Sequence, residues 1–210
     1  MLVISTKVGG TIRAVIPLGS GALKGLENKI MIDNYPVRDV ISGTWLKDIG
    51  MVCIPKNAST TVSAWISWEN TNYTEPLPEG KRLFCILRDP VERFESGYAF
   101  LARRRKDMKP GQINQFVRDL HWMINEAANN IKYHLFPQIY FTGHDPARFE
   151  RIFHINKLDE CHAWLESQLH LNKPMNHRNR GKYGPQLTEK SKAYLRDVFA
   201  CDYKFMEKVF

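Results

Sequence analysis

Three short runs that read as strands, each followed by a stretch of helical period, constrain this chain most. The runs are Met51–Ile54, Leu83–Leu87 and Arg151–Ile155. Runs of four or five largely apolar residues are too short for helices and suit buried strands. A helix through Trp68 follows the first run. After the second, Asp89 and Pro90 make a strong helix start, Asp as N-cap and Pro at the first helical position. Val91, Phe94, Tyr98 and Leu101 then recur at helical spacing. Leu158–Leu169 follows the third run. Two more helices are expected, Gln112 to Asn129 and one capped by Thr188 that runs to Phe199. Strands alternating with helices imply an α/β fold with a mostly parallel sheet.

Residues 71–80 read as a loop, from their Asn, Pro and Gly content. Residues 1–50 carry Gly9-Gly10, a Gly-rich stretch at Gly19–Gly25 and short apolar runs at Thr11–Ile16 and Lys29–Ile32. They read as an N-terminal extension of strands, hairpins and loops. The 210 residues suit a single domain, with its core over 51–206.

The net charge of +8 points to an anionic partner: nucleic acid, an acidic glycan, a membrane face or a phosphorylated nucleotide. The four cysteines, Cys53, Cys85, Cys161 and Cys201, form no CxxC pair and no zinc-finger spacing. Cys53 and Cys85 read as buried thiols in strands, which suits a reducing compartment. No apolar stretch approaches the roughly 20 residues of a membrane span. A soluble, cytoplasmic protein is expected.

Two segments carry chemistry. In the first, a strand runs into Pro55-Lys56-Asn57-Ala58-Ser59-Thr60-Thr61 and then a helix. A helix start presents free N–H groups and the positive end of the dipole to an anion. Lys56 adds a charge; Ser59, Thr60 and Thr61 add hydroxyls. The same residues also make an ordinary capped strand-to-helix turn. The segment lacks the glycines and the lysine position of a Walker A loop. In the second segment, Arg88 lies at the carboxyl end of a strand, where open α/β sheets bind ligands. Its planar fork suits a phosphate. Arg93 and Ser96, three apart, can share one helix face. Here too a capped helix with surface charges remains an alternative.

Pro55–Thr61 resembles the 5′-phosphosulfate loop of sulfotransferases that use 3′-phosphoadenosine 5′-phosphosulfate (PAPS), P-K-x-G/A-[ST]-[ST]-[ST]. Arg88-Asp89-Pro90-x-x-Arg93-x-x-Ser96-x-Tyr98 resembles their 3′-phosphate motif. His134-Leu-Phe-Pro137-Gln138 is similar to the H-x-x-P-Q segment of the carbohydrate-type branch. Tyr194–Phe205, with Asp202-Tyr203, is similar to the family's C-terminal pattern. The resemblance covers roughly residues 50–206. It implies a P-loop-NTPase-like three-layer sandwich, a central mostly parallel sheet flanked by helices.

The resemblance also implies roles. Lys56 would stand at the bridging oxygen of PAPS, with the backbone amides of Asn57, Ala58, Ser59, Thr60 and Thr61 on the phosphate. Arg88 and Ser96 would hold the 3′-phosphate. The basic loop with Arg180, Lys182, Tyr183 and Gly184 would close over the nucleotide, unless it is a plain solvated loop. The product would be 3′,5′-ADP, and no metal is called for. The acceptor would be a hydroxyl, with an acidic glycan as one candidate; no nucleic acid is expected. An acceptor hydroxyl needs a base. His134 is the first candidate, against the reading of a buried structural histidine; Glu75 and Glu69 are next. Arg103-Arg104-Arg105-Lys106 complements a helix C-terminus or guides a polyanionic acceptor. Competing readings are a P-loop-like nucleotide kinase, a nucleic-acid-binding protein, and a non-catalytic nucleotide-binding relative.

Overall fold

The computed structural model describes residues 40–65, 69–74, 77, 79–120, 133–170 and 186–210. All of them lie within one compact unit, Tyr35–Phe210. The described chain begins with a hairpin. β1 (Val40–Leu46) and β2 (Ile49–Val52) pair antiparallel, Leu46 against Ile49, across the two-residue turn Lys47-Asp48. Gly50 lies opposite Trp45, and a Cβ there would come within 2.6 Å of the indole ring. The glycine lets the indole lie flat on its neighbour strand.

α1 (Ser59–Trp65) follows, then β3 (Glu69–Thr74), which pairs antiparallel with β1. β4 (Arg82–Leu87) pairs parallel with β2, and β5 (Arg151–His154) parallel with β4. The sheet order is β3-β1-β2-β4-β5. The fold is therefore mixed α/β. Its sheet is parallel where the two motif-bearing strands lie and antiparallel toward the β3 edge.

Among the described residues, the helices between β4 and β5 are α2 (Pro90–Ala102), α3 (Ile113–Arg118) and α4 (Ile139–Thr142). After β5 come α5 (Leu158–Leu169), α6 (Glu189–Val198) and α7 (Ala200–Met206). Their caps follow the sequence. Asp89 accepts the Glu92 amide at 2.9 Å, and Thr188 accepts the Ser191 amide at 3.2 Å.

Both faces of the sheet are covered, which is why β2 and β4 are apolar without alternation. Leu83, Cys85 and Leu87 of β4 pack with Ile139, Phe141, Phe149 and Phe205. Phe84 and Ile86, on the opposite face, pack with Val62, Trp65, Cys161, Leu165 and Leu169. Burial pushes the Cys85 thiol well above the ordinary range. Cys53 lies just past β2 and is half-buried.

Three expectations need correction. Residues 71–80 are not all loop, because β3 continues to Thr74. Its Glu-Asn-Thr-Asn-Tyr-Thr sequence has no apolar alternation; the backbone ladder to β1 alone makes it a strand. The sheet also begins before residue 51, since β1 and the first half of β2 lie within what read as an extension. The last helix ends at Val198, and α7 continues the chain past Phe199. The runs at Thr11–Ile16 and Lys29–Ile32, and the expected helix beyond residue 120, lie outside the described residues.

Candidate functional site

Because β2 and β4 are parallel neighbours, the segments leaving their carboxyl ends emerge side by side. One is Pro55–Thr61 and the other begins at Arg88. This crevice is where open α/β sheets carry ligands.

The first segment has an unusual backbone. Lys56 has φ 72° and Ala58 has φ 60°, both in the left-handed region. Each costs about 1 kcal/mol for a residue with a Cβ. Asn57, between them, is not in that region. Alternation of this kind turns successive N–H groups toward one side, a concavity suited to an anion. Two of the amides expected on a ligand are used internally. Asn57 N–H donates to the Ile54 carbonyl at 3.2 Å, and Thr61 N–H to the Ala58 carbonyl at 2.9 Å. Thr61 is also buried on the sheet side of α1, whereas Thr60 is exposed and Ser59 half-buried. Outward donors are therefore centred on Ala58, Ser59 and Thr60, while Asn57 and Thr61 hold the loop.

Asn57 is 2% exposed, and its side chain turns inward. Its Nδ2 donates to the Ile86 carbonyl at 2.8 Å and to Gln138 Oε1 at 2.5 Å. Arg88 sits across the crevice. Its Nη1 reaches the Lys56 carbonyl at 3.5 Å and its Nε reaches Glu92 at 3.3 Å. The fork is held loosely enough to turn to a ligand. Ser96 is half-buried on α2, and its hydroxyl makes no hydrogen bond to another described residue.

Below the crevice lies a buried polar layer. Arg93, 1% exposed, donates from Nε to the Pro55 carbonyl at 3.0 Å and from Nη1 to the Phe136 carbonyl. Asp202, 1% exposed, accepts the amides of Gln138 at 2.8 Å and Ile139 at 2.9 Å. Tyr203 donates to Asp89 at 2.9 Å, so α7 also braces the cap of α2. Burial raises the Asp202 carboxyl to about 6, against the lowering effect of the two amides and Arg93. Gly97 lets the 133–138 segment lie against α2; a Cβ there would stand 2.5 Å from the His134 carbonyl oxygen.

Cations gather above this layer. The Lys56 Nζ lies 4.6 Å from the centre of the Phe100 ring, and the Arg104 guanidinium 3.8 Å from it. The His134 ring packs against the same phenyl group, its centroid 4.5 Å away. Burial lowers the Lys56 pKa to about 8, helped by Arg103, Arg88, Arg104 and Arg93. Burial, then Lys56, Arg93 and Arg104, lowers His134 to about 4. Buried Nδ1 of His134, Nη2 of Arg93 and Oδ1 of Asn57 have no hydrogen-bond partner among the described residues. Lys56, Arg103 and Arg104 have no carboxylate partner among them either. Such a cluster is destabilised by its own repulsion and relieved by an anion. Among the described residues no three His, Cys, Asp or Glu side chains gather to hold a metal ion. No described helix is long and apolar enough to cross a membrane.

The structure thus brings together Lys56, Ala58, Ser59, Thr60, Arg88 and His134 of the residues expected from sequence. Arg180, Lys182, Tyr183, Gly184 and Glu75 lie outside the described residues, as does the side chain of Glu69. Sequence reasoning assigned no role to Arg93, Phe100, Gln138 or Asp202. A signal existed for Arg93. It falls on the stripe of Pro90, Phe94, Gly97, Tyr98 and Leu101, which is the buried face of α2. No family model, curated protein or solved structure matches this chain.

Proposed function

We propose that this chain is a PAPS-dependent sulfotransferase with a P-loop-NTPase-like three-layer core. The observation that carries the reading is the pairing of β2 with β4. It sets the Lys56 loop and Arg88 side by side at one crevice, Lys56 without a carboxylate partner among the described residues and Arg88 held only by a 3.3 Å contact to Glu92 and a 3.5 Å contact to the Lys56 carbonyl. The donor's 5′-phosphosulfate would occupy the loop at Ala58–Thr60, and its 3′-phosphate would meet Arg88 and Ser96.

In the reaction the acceptor oxygen attacks sulfur in line, forming an S–O bond as the bond from sulfur to the bridging oxygen breaks. The electron pair of that bond leaves with the 5′-phosphate of 3′,5′-ADP. The Lys56 ammonium stabilises this developing charge. The acceptor hydroxyl gives its proton to His134. Without ligand, burial and then the neighbouring cations make His134 a weak base. The anionic donor would offset the cations' share of this shift and raise its basicity. Arg103 and Arg104, exposed beside Phe100, favour an acceptor that is itself anionic, such as an acidic carbohydrate. The four free cysteines suit a reducing compartment, and we read the protein as cytoplasmic.

Calorimetry with 3′,5′-ADP against ATP–Mg tests the donor. The expected result is micromolar binding of 3′,5′-ADP, abolished in Arg88→Ala and weakened in Lys56→Ala. Preference for ATP–Mg would replace this reading with a nucleotide kinase. Transfer of labelled sulfate from PAPS across a panel of neutral and acidic glycans then tests the acceptor.

A further inference from the structure

Gln138 links both sides of the crevice through a single side-chain amide. Its Oε1 accepts from Asn57 Nδ2 at 2.5 Å and from the Arg88 amide at 3.0 Å. Its Nε2 donates to the Arg88 carbonyl at 2.8 Å. The primary amide therefore satisfies both backbone groups of Arg88 where β4 ends, as a neighbouring strand would. The Gln138 backbone is itself held, its N–H donating to Asp202 of α7. Gln138 and Asn57 are each 2% exposed, and neither side chain faces solvent.

The chemistry of this link is demanding. It needs one acceptor oxygen and one donor nitrogen at the end of a two-carbon stem. Ionised glutamate offers no donor to the Arg88 carbonyl, methionine offers neither group, and asparagine is one methylene shorter. Buried hydrogen bonds without water competition hold geometry more tightly than exposed ones. The Lys56 loop and the Arg88 backbone thus move as one body. Two anion-binding groups at a fixed separation read the distance between two charges, as well as total charge.

We infer that Gln138 is a positioning and specificity-determining residue: by locking the Lys56 loop to Arg88 it makes the crevice select a ligand with two anionic groups over a ligand with one. The inference rests on the donor-site reading above for the identity of the ligand, a nucleoside 3′,5′-bisphosphate. The lock itself is a property of the empty protein.

The test compares wild type with Gln138→Met, each confirmed as folded by its thermal melt, in calorimetry with 3′,5′-ADP, 5′-AMP and 3′-AMP. In Gln138→Met the affinity for 3′,5′-ADP is expected to fall about ten- to hundredfold, the usual effect of losing buried hydrogen bonds. Each monophosphate should change by less than about threefold, because one anion needs only one side of the crevice. Equal losses for all three ligands would reduce Gln138 to a general structural role and overturn the inference. An unchanged affinity for 3′,5′-ADP would overturn it as well. If Gln138→Met does not fold, Asn57→Ala cuts the loop side of the same link and is read by the same criteria. Should wild type bind none of the three nucleotides, the donor-site reading fails by itself. Amide hydrogen exchange then decides the lock: the Arg88 amide should exchange at least about tenfold faster in the variant. Unchanged exchange at Arg88 would refute it.

Discussion

The Lys56 ammonium rests 4.6 Å from the centre of the Phe100 ring, on the same phenyl group that carries Arg104. This arrangement keeps two cations close together with no carboxylate to offset them among the described residues. An anion placed between them would relieve their repulsion.

Lys56 should therefore cost stability in the empty protein. Its folded pKa of about 8 lies below the ordinary 10.5. The folded chain gives up the lysine proton more readily than the unfolded chain, so the charged ammonium is a cost at every pH below about 8. Lys56→Met is expected to stabilise the empty protein on the order of 1 kcal/mol at pH 7, after allowance for solvent screening. The stabilisation should shrink as pH rises from about 8 toward 10.5. The same variant should lose anion affinity. Melting curves and calorimetry on one preparation check both, and a destabilised variant would count against the electrostatic account.

His134 should respond to the ligand. Its imidazole titrates at about 4 rather than 6.5, so it is neutral in the folded protein across that window. The stability it contributes is present above 6.5 and is lost as pH falls toward 4. Neutralising Lys56 and Arg104 with 3′,5′-ADP should move its pKa up by about 1 or more, followed by NMR of the ring protons. If His134 is the base, His134→Ala should lower turnover by about a hundredfold or more while 3′,5′-ADP affinity stays within about threefold. Full turnover in that variant would remove His134 from the mechanism.

Asp202 titrates with the opposite sign. The folded chain holds its proton up to about pH 6, the unfolded chain only to 3.8. Between these values folding takes up a proton, so this group's contribution grows more favourable as pH falls. Asp202→Asn loses a charged acceptor for two buried amides and leaves Arg93 without its nearby negative charge. A loss of about 2–4 kcal/mol is expected at pH 7. The deficit relative to wild type should widen between pH 6 and 4. Urea unfolding at several pH values checks the slope, and a deficit that stays flat between pH 6 and 4 would show that Asp202 is ionised throughout that range.

Much of the frame was legible. Leu83–Leu87, the cap at Asp89-Pro90 and the helix Leu158–Leu169 all announce themselves through local patterns: an apolar run, a capping side chain, a 3.6-residue period. β3 did not, because an edge strand is held by the backbone ladder to β1 and needs no apolar side chains. β1 was not singled out, because residues 1–50 read only as an extension of strands, hairpins and loops and Val40–Leu46 carries no continuous apolar run. Lys56 and Arg88 stood out because strand-loop-helix chemistry is written in neighbouring residues. The inward turn of Asn57 and Thr61 did not, since main-chain direction depends on the left-handed residues Lys56 and Ala58.

The sequence by itself determined where the charged and hydroxyl groups lie relative to strand ends and helix starts. That information is local, and short-range sterics and capping are enough to express it. Only the tertiary structure decided that β2 neighbours β4, that Gln138 closes the gap between their loops, and that Asp202 and Tyr203 brace them from the far end of the chain. Those contacts join residues 33 to 114 positions apart. Their energy comes from burying polar groups that must find partners, and partners at such separation are chosen by packing of the whole sheet and its helices.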